Sequence, residues 1–133
     1  MKHAGNVSFY ILVASYLLAG YNHFANPGFY LPLIPPYLSA WATQINTIAG
    51  IAEIAGALLL IPRKTRKAAS IGIILMLICF IPSHVWFIQK GSFSIGPFTM
   101  TPFIAWTRIL LVHPLLIAWA WWGGNHGAAG GDR

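Results

Sequence analysis

The chain has 133 residues, of which 57% are hydrophobic and only 8% are charged, and its formal net charge is +6. Soluble domains carry roughly 25% charged residues, so the composition excludes an ordinary soluble protein and indicates a single integral membrane domain. The basic residues stand between apolar runs, which favours membrane orientation and contact with anionic lipid headgroups over binding of nucleic acid.

Four apolar stretches are each long enough to cross the core of a bilayer, which takes roughly 20 helical residues. They cover about residues 8–24, 40–61, 68–88 and 102–122. The pattern predicts an all-α integral membrane protein, a four-transmembrane-helix bundle that forms one domain over residues 1–122. The glycine-rich residues 123–133 are expected to form a flexible tail.

The segment between the first two spans is rich in proline and carries no charge. Three prolines between residues 29 and 39 prevent a regular helix there. We expect a proline-rich outer loop at the membrane surface, with the aromatic rings of Tyr30, Tyr37 and Trp41 at headgroup depth.

The third span contains a proline and the only cysteine of the chain. Pro82 removes one backbone hydrogen bond and is expected to kink this helix. Cys79 excludes an internal disulfide, and because it lies in an apolar run we expect a buried, unreactive thiol. A polar loop over residues 89–97 leads to the fourth span.

The charges between the spans predict the orientation. The loop between the second and third spans holds Arg63, Lys64, Arg66 and Lys67, whereas the opposite side has only Lys90. By the positive-inside rule, this loop and both termini are cytoplasmic, in the inner or plasma membrane of the cell.

The second span carries an acidic residue, Glu53, near its middle, and the only other acidic residue is Asp132. A carboxyl group within hydrocarbon costs roughly 2.5–3.5 kcal/mol on insertion scales. It must therefore face protein, water or a partner, or be protonated, and it is a candidate for function. Asn46, seven residues earlier, lies on the same face of the helix, two turns nearer the outer end.

All four spans contribute polar groups to the outer half of the predicted bundle, and the inner half has almost none. Their depth in the membrane follows from the helix rise of about 1.5 Å per residue. The polar residues placed in the outer half are His23, Asn46, Glu53, His84, Arg108 and His113. They predict one polar ligand-binding cavity in the outer half, with Glu53 near its floor and His113 as its nearest neighbour. Arg108 then needs a counter-charge, which is Glu53, a lipid phosphate or a bound anion.

Structural roles are the alternative for each of these residues. Arg108 can snorkel to the outer interface, and the histidines can join helices by hydrogen bonds alone. Small residues at helical spacing, Ala52 with Gly56 and Ala68 with Gly72, predict close helix contact, either within the bundle or at a homodimer interface.

Five short motifs occur in the order found in a known family. Residues 23–37 resemble the first loop of that family. Gly50–Gly56 matches the motif G-x-x-E-x-x-G, Arg66–Ala68 matches R-x-A, Phe80–His84 is similar to F-P-x-N, and Trp106–Arg108 matches W-x-R. Over residues 15–122 the chain resembles the DoxX-like family of small four-helix membrane proteins. His84 stands where the family usually has Asn, and His113 lies near a common Gln.

The resemblance implies four transmembrane helices and a poorly defined function. Members are named for association with thiosulfate:quinone oxidoreduction, and related eukaryotic proteins include a chaperone for assembly of the nicotinic acetylcholine receptor. Because the chain has no recognisable catalytic motif, we favour a non-enzymatic accessory or assembly subunit that binds membrane lipids and a membrane-protein partner.

Two alternatives remain open at this point. A redox-associated protein would bind a quinone-like lipidic substrate, with Glu53 and His113 or His84 moving protons and Arg108 stabilising a reduced anion. A metal site would use His23, His84, His113 and Glu53, although no ligand-spacing motif supports it.

Overall fold

The computed structural model describes residues 2–126 and is mainly helical in this range, with one short hairpin and short connecting turns. The helices are α1 (Lys2–Ala25), α2 (Pro27–Tyr30), α3 (Ala42–Leu60), α4 (Arg63–Cys79), α5 (Ile81–Lys90), α6 (Pro102–Thr107) and α7 (His113–Asn125). Two 3₁₀ turns, Leu31–Leu33 and Pro36–Trp41, connect α2 to α3, and a π-helical segment, Arg108–Val112, connects α6 to α7. Strands β1 (Phe93–Ile95) and β2 (Phe98–Met100) pair in antiparallel fashion.

Four long helical segments run through the part of the chain that the structure describes, and each is long and apolar enough to cross a membrane. They are Ala4–Ala25, Pro36–Leu60, Arg63–Lys90 and Pro102–Asn125. The prediction of an all-α chain with four such helices is therefore confirmed.

Some helix ends differ from the predicted ones because apolar content alone does not mark where a helix stops. The third long helix begins at Arg63, directly after Pro62, and not near residue 68. Arg and Lys are good helix formers, so the basic residues continue the helix. The fourth extends to Asn125, which removes residues 123–125 from the predicted tail, and residues 127–133 lie outside the described range.

Pro82 interrupts the third long helix, as predicted. Phe80 separates α4 from α5, and its amide donates to both Met76 and Leu77 at 3.1 Å. Pro82 then occupies the first turn of α5, where a missing N–H group is tolerated. The predicted buried position of Cys79 is wrong, because the thiol lies on the outward face of α4, next to this break.

The predicted polar loop over residues 89–97 is partly wrong, since half of it forms a hairpin. Phe93 pairs with Met100 and Ile95 with Phe98 across a two-residue turn. Gly96, with a φ of 55°, provides the left-handed conformation that this tight turn requires. Ile95 and Met100 are buried, so the hairpin packs its apolar side onto the helices.

The two ends of the bundle are built differently. We call the end with the proline-rich segment and the hairpin the hairpin end, and the end with the α3–α4 connection the basic end. The basic half is filled by an apolar core that includes Leu12, Ala57, Leu60 and Ala120, all with no exposed surface. The polar residues of the interior lie mainly in the other half.

Arg66 closes the basic end by joining several parts of the chain. Its guanidinium donates to the carbonyls of Leu60 at 2.7 Å, Ile61 at 2.6 Å and His126 at 2.8 Å. The same group lies 4.3 Å from the centre of the Phe9 ring. Arg66 therefore satisfies carbonyl groups at the C-terminal end of α3 that would otherwise lack partners.

Helices α1 and α3 pack closely because each has a glycine at their contact. A Cβ atom on Gly20 would lie 2.8 Å from the carbonyl oxygen of Gly50, and one on Gly50 would lie 2.8 Å from the Cβ of His23. Gly56 makes a similar close contact with Ile73, whereas a Cβ on Gly72 would meet nothing within 4 Å. Close contact within the bundle thus occurs at one of the two small-residue pairs predicted from sequence.

We predict opposite effects for two glycine substitutions. Gly20→Ala should destabilise the protein by about 1–3 kcal/mol because the two backbones must separate. The matched change Gly72→Ala should be neutral or stabilising by up to about 1 kcal/mol, since alanine favours helix and the site is open. Thermal unfolding in detergent measures both, and an equal loss of stability in the two variants would contradict the packing described for α1 and α3.

Candidate functional site

A cavity of about 370 Å³ lies in the hairpin half of the bundle. Its lining comes from α1, α3, α4, α5, the π-helical segment and α7, together with residues of the proline-rich segment and the hairpin. The polar residues predicted to form one site all line it: His23, Asn46, Glu53, His84, Arg108 and His113. The structure thus brings the six together, and their role in binding a ligand stays a prediction.

Asn46 fixes the position and the protonation of His23. The Asn46 side-chain amide donates to the backbone carbonyl of His23 at 2.9 Å, so its oxygen is left to accept. That oxygen lies 2.7 Å from Nδ1 of His23, which must therefore carry a proton. The other ring nitrogen, Nε2, then faces away from Asn46 toward the cavity.

Glu53 is paired with His23. Its Oε2 atom lies 3.5 Å from Nε2 of His23, and the two side chains are almost completely buried. Because Nδ1 already holds a proton, this approach is favourable when the pair holds one further proton, either on the imidazole or on the carboxyl group. In both forms the pair has no net charge.

His113 is not the nearest neighbour of Glu53, so that prediction from depth is wrong. Nε2 of His113 lies 2.6 Å from the carbonyl oxygen of Leu77 and must donate its proton to it. The helix break at Phe80 makes this carbonyl accessible, because the backbone after Leu77 leaves the regular α-helical pattern. Depth along the membrane normal does not tell which helices are neighbours.

The π-helical segment brings Arg108 and His113 to the same side of the fourth long helix. In an α-helix, at about 100° per residue, side chains five residues apart point about 140° away from each other. Here the His113 amide donates to the Arg108 carbonyl, a five-residue step that aligns them. Pro114 lacks an amide hydrogen and so favours departure from the α-helical pattern at this point.

The wall that carries Arg108 also contains His84. The ring of His84 packs edge-on against His113, with 4.7 Å between centroids, and against Phe87 at 5.7 Å. The Arg108 guanidinium lies 5.7 Å from the centre of the Phe87 ring. His84, His113 and Arg108 therefore form a second polar group, separate from the His23–Asn46–Glu53 group on α1 and α3.

Aromatic residues complete the site beyond those predicted. Tyr30, predicted only as a headgroup-depth residue, stacks on His23 with 3.7 Å between ring centroids, and its hydroxyl accepts from Asn22 at 3.0 Å. Burial raises the pKa of Tyr30 above its ordinary value. Tyr16 also lines the cavity and was missed, although it precedes His23 by seven residues and so shares its helix face.

Buried polar atoms without a hydrogen-bond partner concentrate at this cavity. Within the described residues they are the Tyr16 hydroxyl, His84 Nδ1 and Arg108 Nε, together with Glu53 Oε2, which has the 3.5 Å ion-pair contact with His23 but no hydrogen bond. All four residues line the cavity. Such an atom costs roughly 1–3 kcal/mol when unsatisfied. The clustering of such atoms at one cavity favours a site that binds a polar ligand group.

Arg108 has no acidic partner among residues 2–126, where His23–Glu53 is the only ion pair. Of the counter-charges considered from sequence, Glu53 is thus excluded as a direct partner in this structure. The same range contains no group of three or more His, Cys, Asp or Glu side chains arranged to hold a metal ion. The metal hypothesis therefore receives no support from the geometry.

The fold and the site define a four-helix protein with a partly polar cavity at one end. A sequence comparison adds its family: the chain belongs to the family described as "Domain of unknown function (DUF8561)", whose profile matches residues 12–123. The matched range includes all six predicted site residues. No curated protein and no solved structure matches the chain.

We predict that Asn46 is needed for the stability of this wall. Asn46→Ala should destabilise the protein by about 1–3 kcal/mol, because it leaves the buried His23 carbonyl and ring without their partners. Asn125→Ala is the matched control, since Asn125 is exposed and makes a single bond to Trp121 in its own helix. Equal unfolding midpoints for the two variants would show that the Asn46–His23 contact contributes nothing.

Proposed function

We propose that this chain is an integral membrane protein that binds a small, largely apolar ligand with a polar headgroup in its cavity. In this role it is a non-enzymatic accessory or assembly subunit, and its similarity to the DoxX-like motifs agrees with that class. The four long helices span the cell membrane, with both termini and the basic loop on the cytoplasmic side.

The outer surface of the helices supports the membrane location. Large apolar side chains are widely exposed, such as Leu18 at 68%, Leu75 at 57% and Leu110 at 69%. At most a third of the most apolar window of any long helix is buried inside the fold. In water such a surface would drive aggregation, whereas in a bilayer it contacts acyl chains.

The observation that carries the binding proposal is the convergence of unpaired polar atoms on a cavity that is otherwise apolar. Leu77, Phe80, Val112 and Leu116 contribute to its lining, and its volume of about 370 Å³ lies within the range of small-molecule sites. Apolar walls with a few convergent polar groups are typical of binding sites for amphipathic molecules.

A quinone-like ligand is the second candidate. Its support is the division of the polar residues into two groups on different helices, which suits a flat molecule with an oxygen atom at each end. The proton held by His23 and Glu53 could serve such an oxygen, and the chain would then be a redox-associated subunit.

A protein partner is the other part of the proposal. Ala68 is exposed on α4, and Gly72 has open space beside it, so this face allows close approach of a helix from a membrane protein or from a second copy of the chain. Membrane lipids cover it otherwise.

Native mass spectrometry from mild detergent, with extraction of bound lipids, tests ligand binding. The wild-type protein should retain a small molecule, and Ala19→Phe, which fills part of the cavity, should lower its occupancy several-fold. Ala14→Phe is the matched control on the exposed face of the same helix and should keep the wild-type occupancy. Identical spectra for both variants would remove the cavity as the binding site, and extraction of a quinone would favour the second candidate.

Cysteine labelling tests the orientation in cells with an intact plasma membrane. In a Cys79→Ser background, Ser92→Cys near the hairpin should react with a membrane-impermeant maleimide, because that end faces outward. Lys64→Cys in the basic loop should react only after lysis. The reverse pattern would invert the proposed topology.

A further inference from the structure

We propose that the ligand is a monoanionic amphiphile whose acidic headgroup, a carboxylate or a phosphate, binds Arg108. This inference rests on the proposed binding function and specifies the chemistry of the ligand. It is carried by the charges and the unpaired donors of the cavity.

The cavity has an uncompensated positive charge. Arg108 keeps its proton under all ordinary conditions, and no acidic side chain of the described residues lies within 4 Å of it. Glu53 is already paired with His23, and that pair is neutral overall when it holds one proton besides the one on Nδ1. A partly buried cation without a partner is strongly unfavourable. A ligand with one negative charge would therefore stabilise this site more than a neutral ligand.

The donors of Arg108 are free to receive such a guest. No hydrogen bond of residues 2–126 involves its side chain, and its Nε is buried without a partner. A guanidinium presents donors in a planar fork that fits a carboxylate or a phosphate with two parallel bonds. The Phe87 ring lies on one side of the guanidinium, with its centre 5.7 Å away.

His84 adds a second donor beside Arg108. Its Nδ1 is buried without a partner, and its ring packs against Phe87, the same ring that the guanidinium approaches. With the Nδ1–H tautomer, neutral His84 can donate to a headgroup oxygen. A neutral histidine here adds no second positive charge beside Arg108.

The side chains on α1 and α3 disfavour the headgroup, and the apolar lining of the cavity accepts the apolar body. An anion beside Glu53 would meet carboxyl oxygens, which are acceptors, so the Arg108 side is the favourable position. The remaining lining from Leu77, Val112 and Leu116 offers apolar contacts but no charge. A simple inorganic anion would leave the apolar lining without contacts. An amphiphile contacts both Arg108 and the apolar lining.

Matched neutral and acidic probes test this inference on the full-length protein in detergent. Oleic acid and oleyl alcohol share one chain, and native mass spectrometry gives the affinity of each. We expect the wild-type protein to bind the acid about tenfold or more tightly than the alcohol, as a charge-assisted contact provides. Arg108→Gln should reduce this ratio to about one, and Arg108→Lys should give an intermediate ratio, because the charge remains but the two parallel bonds of the guanidinium are lost. Arg63→Gln removes an exposed arginine outside the cavity and should leave the ratio unchanged.

The outcomes separate this inference from the binding function on which it rests. If both probes bind the wild-type protein equally well, the cavity binds ligands and the anion specificity is wrong. If neither binds, the cavity proposal itself fails for amphiphiles. Should Arg108→Gln not fold, the wild-type ratio and Arg108→Lys still decide. Parallel titration with dioleoyl phosphatidic acid and oleic acid tells whether a phospholipid or a free fatty acid is the better source of the headgroup.

Discussion

The close approach of α1 and α3 is the constraint on which the site depends. Gly20 and Gly50 allow the two backbones to meet, and only at this separation can the Asn46 amide reach the His23 carbonyl while its oxygen receives the His23 ring. That double contact sets the tautomer of His23, and the tautomer determines how Glu53 is accommodated. The charge balance of the whole cavity follows from a steric feature of two glycines.

The bundle separates its stabilising and its polar parts along its length. The basic half is tightly packed with apolar side chains, and the hairpin half contains the unpaired polar atoms. A protein can tolerate several unfavourable groups at one site only if the rest of the fold offsets them. The dense core and the Arg66 contacts at the basic end therefore complement the cavity at the other end.

Sequence could predict the four long helices and six of the polar residues that line the cavity. The helices follow from hydropathy, and the residues follow from their position along each helix. It could not predict which polar residues are paired. His23 and His113 stand at different depths relative to Glu53, yet the one on the adjacent helix α1 is its partner. Neighbour relations in a bundle depend on small-residue contacts, and the helix break at Phe80 supplied His113 with a backbone acceptor instead.

Local irregularities were also beyond hydropathy. The π-helical segment changes the angular spacing between Arg108 and His113, and no count of apolar residues reveals it. The hairpin at residues 93–100 has strands of three residues, too short for an alternating pattern to stand out against a polar loop. Both features lie at the cavity, where departures from regular structure give side chains directions that an ideal helix does not offer.

The apolar core of the basic half lies between the cavity and the basic end of the bundle. Leu12, Leu60 and Ala120 are fully buried in the basic half, and Arg66 donates hydrogen bonds to the Leu60 and His126 carbonyls at that end. None of these three residues lines the cavity, so a ligand bound as proposed would lie on the hairpin side of them. For the proposed function, this arrangement suits a binding site closed on the basic side and not a channel that connects the two ends of the bundle.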